Sequence, residues 1–447
     1  MNARLQQSPR IVIVVFDGLR PDMVTPETMP TLRAFADSGT WYAESRCAFP
    51  SETRVNQASL VTGCWPGSHG IVGNRFHDPA TPTEELVNSG DDDHLLRFLD
   101  QAGGRLIDRP SLGERMAAEE ARYAVVGSGT PGGTRMLYHT AEQHGGLRLS
   151  LYRPDRSTPD ALVGRIVERC GPIPAVETPA NARTGYVMDA FLDVVAPELQ
   201  PEVALLWFFE PDLVYHLRGV GSPESLSALR QADRQFARLL DWRDSRPAEE
   251  RVQIVTLSDH GHVSVAGAPV DLIGDLQAAG FAAARDFRDS AADLVAHLSR
   301  AGAIYLRRDD PGLARALIAW LREQDWCGRL IGRLEGCDEA PEAHRLAHRR
   351  CPDLVLLTAQ GDDRNEAGWP GTARSAAGGP APGCGNHGGL HPMEMRNWLA
   401  AQGDGFVPGR RDEPVRIIDV LPSLMALRGR PADDLIEGTC LPGLIVA

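Results

Sequence analysis

Residues Ile11–Phe16 read IVIVVF, an unbroken apolar run in which all but the last residue are β-branched. A run this short, with no polar alternation, predicts a strand buried on both faces of a parallel sheet. Residues 122–127 (RYAVVG), 203–209 and 252–257 repeat the pattern. Between them the apolar spacing turns helical, at Pro30–Ser38, at 95–102 and over a long amphipathic stretch at 222–240. Strands alternating with helices predict an α/β core with a mostly parallel central sheet flanked by helices. The polar stretch 75–94 contains Asp91, Asp92 and Asp93, which read as a solvated loop leading into a helix. Residues 127–134 read as a Gly/Ser/Thr loop.

The pattern changes over 283–350. A strand at 304–306, a helix at 311–324 and a strand at 329–333 predict a β-α-β insertion, a small α+β cap. Residues 352–357 read as a return to the core sheet, which gives a core of 8–282 and 351–447. Residues 364–386, rich in Gly, Pro and Ala, read as a long loop.

Composition narrows the options. The chain has 447 residues and a formal charge of −14, which argues against a surface that coats nucleic acid. No apolar run approaches the ~20 residues that span a bilayer. The start, residues 1–10, lacks the apolar core of a signal peptide, so the expected location is cytoplasmic. The eight cysteines contain no C-x-x-C, and in that setting they are expected to be reduced. Every basic residue is an arginine, so no mechanism here can use a lysine.

Three of the predicted strands lead into acidic or Asp/His segments. Asp17 follows the first strand, Asp212 and His216 follow the strand at 203–209, and Asp259 and His260 follow the strand at 252–257. Open α/β sheets collect ligands outside the carboxyl ends of their strands. Carboxylates and imidazoles are the donors expected for zinc and similar divalent cations. Taken singly, an Asp at a strand end is usually a helix N-cap. Their joint appearance at three strand ends points instead to a metal site. Asp212 and His216, four apart, share one face if the chain turns helical there.

Further segments carry a family resemblance. Residues 49–56 (FPSETRVN), 60–63 (LVTG) and 66–74 (PGSHGIVGN) resemble the nucleophile segment of the nucleotide pyrophosphatase/phosphodiesterases of the alkaline phosphatase superfamily. Residues 16–18 (FDG), 210–212 (EPD) with His216, 258–261 (SDHG) and 387–389 (HGG) follow in that family's order. Phosphonoacetate hydrolases share much of the same segment. The resemblance implies an alkaline phosphatase-like core and two Zn2+ ions. It implies one zinc on Asp212, His216 and His387, and another on Asp17, Asp259 and His260, with Thr53 completing it. Thr53 rather than Ser51 would be the nucleophile, and Asn74 would donate to a nonbridging phosphate oxygen. The implied reaction is hydrolysis of a phosphate diester through a phospho-threonine intermediate. The alternative is a phosphonate or monoester hydrolase on the same metals. The implied partner is a small anionic substrate bearing phosphate or phosphonate.

The chain departs from the family where an aromatic-Pro pair usually follows the nucleophile; here Arg54 and Val55 stand. Arg54 either clamps a second anionic group or is a surface residue. The lysine-bearing segment of phosphonoacetate hydrolases is absent. His262 and His391, close to the proposed ligands, read as structural. His69 is expected to fix the turn between the nucleophile helix and Asn74. Two divalent cations against three aspartates would leave the pocket slightly positive within an acidic protein, which suits a monoanionic diester better than a dianion.

Overall fold

A computed structural model describes residues 9–430 and 433–445. Most of the 1–10 start, and the ends of the expected core segments at residues 8 and 446–447, lie outside the described residues.

The apolar run Ile11–Phe16 is the second of five adjacent parallel strands. Its neighbours are Gln253–Leu257 on one side and Val203–Phe208 on the other, followed by Tyr123–Gly127 and Leu147–Ser150. Beyond Gln253–Leu257 the sheet continues through Leu399–Gln402, Thr40–Tyr42 and Gly409–Arg411, of which Leu399–Gln402 runs antiparallel to both neighbours. The strands are apolar throughout because both faces are covered. Ile11, Ile13 and Val15 enter one core cluster, whereas Val12, Val14 and Phe16 enter the other, as side-chain alternation requires. The second cluster is closed by helices Pro30–Ser38 and Pro223–Asp244, whose Phe35 and Phe236 meet edge to face at 5.1 Å.

A second sheet of five strands runs Ala283–Ala284, Leu294–Leu298, Ala301–Leu306, Leu354–Thr358 and Cys327–Gly332. This corrects the reading of residues 352–357. That strand pairs with Ala301–Leu306 and Cys327–Gly332, not with the central sheet. A boundary at 350/351 therefore cuts through this layer. Helix Leu272–Ala278 also joins it, through Leu272 and Leu276. The confusion is physical: a fully buried strand looks the same in either sheet. Val355, Leu357 and Ile331 face the main core, while Leu354, Leu356 and Leu330 face the layer's own helices.

The expected 364–386 loop is also corrected. Pro370–Ala373 and Gly385–Asn386 form a four-stranded sheet with Gln360–Arg364 and Val263–Val265. Asp91 does not sit in a solvated loop. It caps helix Asp92–Gln101 by accepting from the Asp93 and His94 amides, and Asp92 is buried against Arg135. All eight cysteines are free thiols. Among the described residues no helix is long and apolar enough to cross a membrane.

The two large layers are tied by a buried ion pair. Arg350 Nε donates to Asp78 Oδ2 at 2.6 Å, with both side chains almost fully buried. Its Nη1 donates to Gly70 and Leu106 carbonyls, each at 3.1 Å. Removing one partner of such a pair strands the other charge, at a cost of about 3–5 kcal/mol. Asp78→Ala is therefore expected to lower stability by about that amount in denaturant titration, and a shift below ~0.5 kcal/mol, typical of surface sites, would show that Arg350 finds another partner.

Candidate active site

The register of the central strands builds the site. Phe16 lies opposite Phe208 and Val15 opposite Leu257, so all three strands end together. The chain then crosses over: the Asp17 amide donates to Phe208 O, and the Asp212 amide donates to Asp17 O, both at 3.0 Å. Asp17, Asp212 and Asp259 are thereby held side by side and buried. Asp212 begins the short helix Asp212–Arg218, which carries His216 one turn on. Val263 pairs with Asn386 in the four-stranded sheet, and this sets His262 and His387 next to each other.

One donor atom each from Asp212, His216, His262 and His387 lie within 4.8 Å of one another, and so do donors from Asp17, Asp212 and His260. Asp212 Oδ1 is the hub. It lies 2.8 Å from His262 Nε2, 3.3 Å from His216 Nε2 and 3.4 Å from His387 Nε2. Asp259 reaches the second group through His260 Nε2, 3.2 Å from its Oδ2. The backbone orients several imidazoles by their other nitrogen. His216 Nδ1 pairs with Gly385 O at 2.9 Å, and His387 Nδ1 with Ser51 O at 2.7 Å. His260 and His387 stack with centroids 3.6 Å apart.

Electrostatics within the cluster are uneven. Burial, then the charges of Asp259 and Asp212, push the Asp17 carboxyl well above the ordinary range. Burial also raises Asp259. Burial would raise Asp212 too, but the imidazoles of His216, His262 and His387 outweigh it and hold that carboxyl well below the usual range. Burial pushes His262 down to about 3. Asp17 Oδ1 and Asp259 Oδ2 are buried without a hydrogen-bond partner. Two orphaned carboxylate oxygens beside a group of imidazoles are a donor set that fits divalent cations.

Thr53 is the first residue of helix Thr53–Thr62, and its Oγ1 lies 3.1 Å from His260 Nε2. Ser51 lies close by, but its hydroxyl is engaged. It donates to Gly389 O at 2.8 Å and accepts from the Gly388 amide at 3.0 Å. Asn74 is fixed on both sides. Its Oδ1 accepts from the Arg54 amide at 3.1 Å, and its own amide donates to Glu52 Oε2. With the carboxamide oxygen so used, the NH2 end remains to donate. His69 holds the intervening turn as expected, pairing with Ser59 Oγ at 3.0 Å and accepting from the Ile71 amide at 3.1 Å. A cavity of about 470 Å3 opens beside this segment, lined in part by Glu52, Arg54 and Asn74.

The structure thus brings together Asp17, Thr53, Asp212, His216, Asp259, His260 and His387. His391 is structural: Nδ1 caps helix Pro392–Met395 by accepting from the Met393 amide, and Nε2 meets Asp362 at 3.1 Å. His262 corrects the sequence reading. It is not a bystander but the nearest imidazole to Asp212 Oδ1. No periodicity could have revealed it, because its place depends on pairing with a two-residue strand more than a hundred residues away.

Residues 11–362 match the model of the type I phosphodiesterase / nucleotide pyrophosphatase family. Venom phosphodiesterase 2 of Crotalus adamanteus is 26% identical over 267 residues, which is 58% of this chain but only 27% of that protein. The chain therefore spans about a quarter of the length of that relative. Among solved structures, murine ectonucleotide pyrophosphatase/phosphodiesterase 5 superposes with a TM-score of 0.65 at 17% identity, covering 95% of this chain and 96% of that one. Phosphonoacetate hydrolase from Sinorhizobium meliloti, in complex with phosphonoformate, gives a TM-score of 0.65 at 20% identity over 95% and 97% of the two chains. These two likenesses concern the fold.

Partners that orient ligands typically contribute 10–100-fold in metal affinity. His262→Ala is expected to weaken divalent-metal binding by roughly that factor in a competitive chelator titration, with the secondary structure intact. Unaltered affinity would mean that the imidazole only fills space.

Proposed function

Because the chain belongs to the type I phosphodiesterase / nucleotide pyrophosphatase family, we propose that it is a two-zinc hydrolase of phosphate diesters with Thr53 as its nucleophile. The observation that carries this reading is the seating of the Thr53 hydroxyl, 3.1 Å from His260 Nε2 at the edge of the buried Asp/His shell. Asp212, His216 and His387 would hold one cation, with His262 behind them. Asp17, Asp259 and His260 would hold the other, joined by Thr53. Bound there, the cations would supply the charge that lowers the pKa of the Thr53 hydroxyl and neutralises the phosphoryl group.

The chain's own groups do the rest. Thr53 Oγ1 attacks phosphorus, the P–O bond to one arm breaks, and that arm leaves as an alcohol after taking a proton. The remaining phosphoryl ester is then on Thr53. Water attacks the same phosphorus, the Thr53 oxygen departs and is reprotonated, and a monoester is released. The Asn74 NH2 faces the nonbridging oxygens, where an uncharged donor aimed at developing charge stabilises the transition state. Ser51 cannot take the part of Thr53, since both roles of its hydroxyl are already filled. The substrate is a small phosphate-bearing molecule.

Thr53→Ala is expected to abolish turnover of bis-p-nitrophenyl phosphate while retaining bound metal, and Thr53→Ser to keep part of the rate. An active Thr53→Ala protein alongside a dead Ser51→Ala protein would move the nucleophile to Ser51.

Asn74→Ala should lower kcat by about 10²–10³-fold with a smaller change in KM, whereas an effect confined to KM would limit Asn74 to binding.

Prolonged chelation should remove activity and added zinc should restore it. A chelator-treated, metal-free protein that still turned over diesters, or one preferring a monoester or a phosphonate to every diester, would replace this reading by another.

A further inference from the structure

The cavity beside Thr53 has a chemical character of its own. Arg54, Arg75 and Arg285 all line it, together with His297. Elsewhere arginines are paired with carboxylates, as in Arg135 with Asp92 and Arg300 with Glu394. No carboxylate lies within ion-pair distance of Arg54, Arg75 or Arg285 among the described residues. The guanidinium of Arg54 donates through Nη1 to Thr130 Oγ1 at 3.2 Å, and its Nε is buried without a partner.

Two carboxylates, Glu52 and Asp271, also line the cavity; Glu52 feels the charge of Arg54, but neither forms an ion pair with the three arginines. Glu52 accepts from the Asn74 amide, and burial raises its pKa. Asp271 caps a helix by accepting from the Gly274 amide at 3.2 Å. Burial, and then the nearby charges of Arg75 and Arg285, lower His297 to about 4, so at neutral pH it can both donate and accept a hydrogen bond. The rest of the wall is Asn74, Asn88 and Ser299 with aliphatic or small residues such as Leu86, Val270, Leu272 and Leu298, and no Phe, Tyr or Trp lines it. The aromatic ring on the wall is the His297 imidazole, set beside Arg75 and Arg285, whereas a base-binding slot would ordinarily stack successive rings on larger aromatic faces.

Resting on the diesterase reading, we infer that this cavity receives the substrate arm beside the reacting phosphorus, and that this arm carries its own carboxylate or phosphate and no aromatic base. Guanidinium groups at a partly enclosed cavity focus positive potential and match the geometry of both anions. Arg54 lines the cavity, and its charge also acts on Asp17 of the Asp/His cluster. The reacting phosphoryl group would therefore meet the metal site while the second anion meets Arg75 and Arg285.

The test is binding of unreactive phosphonates to the zinc-loaded protein by calorimetry. Propylphosphonate, phosphonopropionate, ethylene bisphosphonate and AMP separate the possibilities. Hydrogen bonds to charged groups contribute about 1.5–3 kcal/mol, so the probe with a second anion should bind at least about tenfold more tightly than propylphosphonate. The Arg75→Gln/Arg285→Gln double variant should lose most of that gap, while its affinity for propylphosphonate falls far less. The stronger response of phosphonopropionate or of the bisphosphonate identifies the second anion as carboxylate or phosphate. Equal affinity for propylphosphonate and both doubly anionic probes, a gap that survives in the double variant, or tightest binding by AMP would overturn the inference. These measurements need no turnover, so failure of the diesterase reading would appear separately, as absence of diester hydrolysis by the same sample.

Discussion

Three carboxylates buried together at the ends of three adjacent strands are the constraint around which this molecule is organised. Asp17, Asp212 and Asp259 are at most 3% exposed. Taking even one such charge out of water costs several kcal/mol, and each raises the cost of the others. Only Asp212 is fully answered from within the chain, by three imidazoles on one oxygen. Asp17 receives Trp207 Nε1 at 2.9 Å and Asp259 receives the Gly18 amide at 3.1 Å, which leaves one oxygen of each without a hydrogen bond. A site with that imbalance is built to accept positive charge. Gly18 shows how tightly the shell is packed around it. Its φ is +69°, and a Cβ there would lie 2.8 Å from His262 Nε2.

The surrounding architecture delivers the candidate site groups to this charge. The central sheet supplies the aspartates, and the helix after the Val203–Phe208 strand supplies His216. The small four-stranded sheet supplies His262 and His387. Helix Thr53–Thr62 begins at the edge of the cluster with the hydroxyl, and His69 fixes the turn that returns the chain to Asn74. The second five-stranded sheet contributes His297 and Leu298 to the wall of the neighbouring cavity. The Asp/His cluster thus sits where layers meet, and the arginine-lined cavity opens beside it.

Much of this was legible in the sequence because its signals are local. A β-branched run such as IVIVVF has few alternatives to a buried strand, and an Asp directly after it must lie at the strand's carboxyl end. The family-like segments at 49–74 and 387–389 added Thr53, Asn74 and His387. What escaped was non-local. The strand Leu354–Thr358 carries no mark of which sheet it joins. The segment 364–386 looks like a loop because its strands are short and rich in glycine. His262 and the pair Arg75/Arg285 acquire meaning only through contacts with distant chain. Among the cavity's arginines, Arg54 was the one with a local cue, through its place beside Thr53.

The central claim, a covalent step on Thr53 between two displacements at phosphorus, has a direct stereochemical test. A phosphorothioate diester of known configuration would be hydrolysed in isotopically labelled water, and the configuration of the product determined by phosphorus NMR. Each displacement inverts phosphorus, so attack by Thr53 followed by attack of water predicts net retention. Net inversion would mean that water attacks the substrate directly, and would contradict the account.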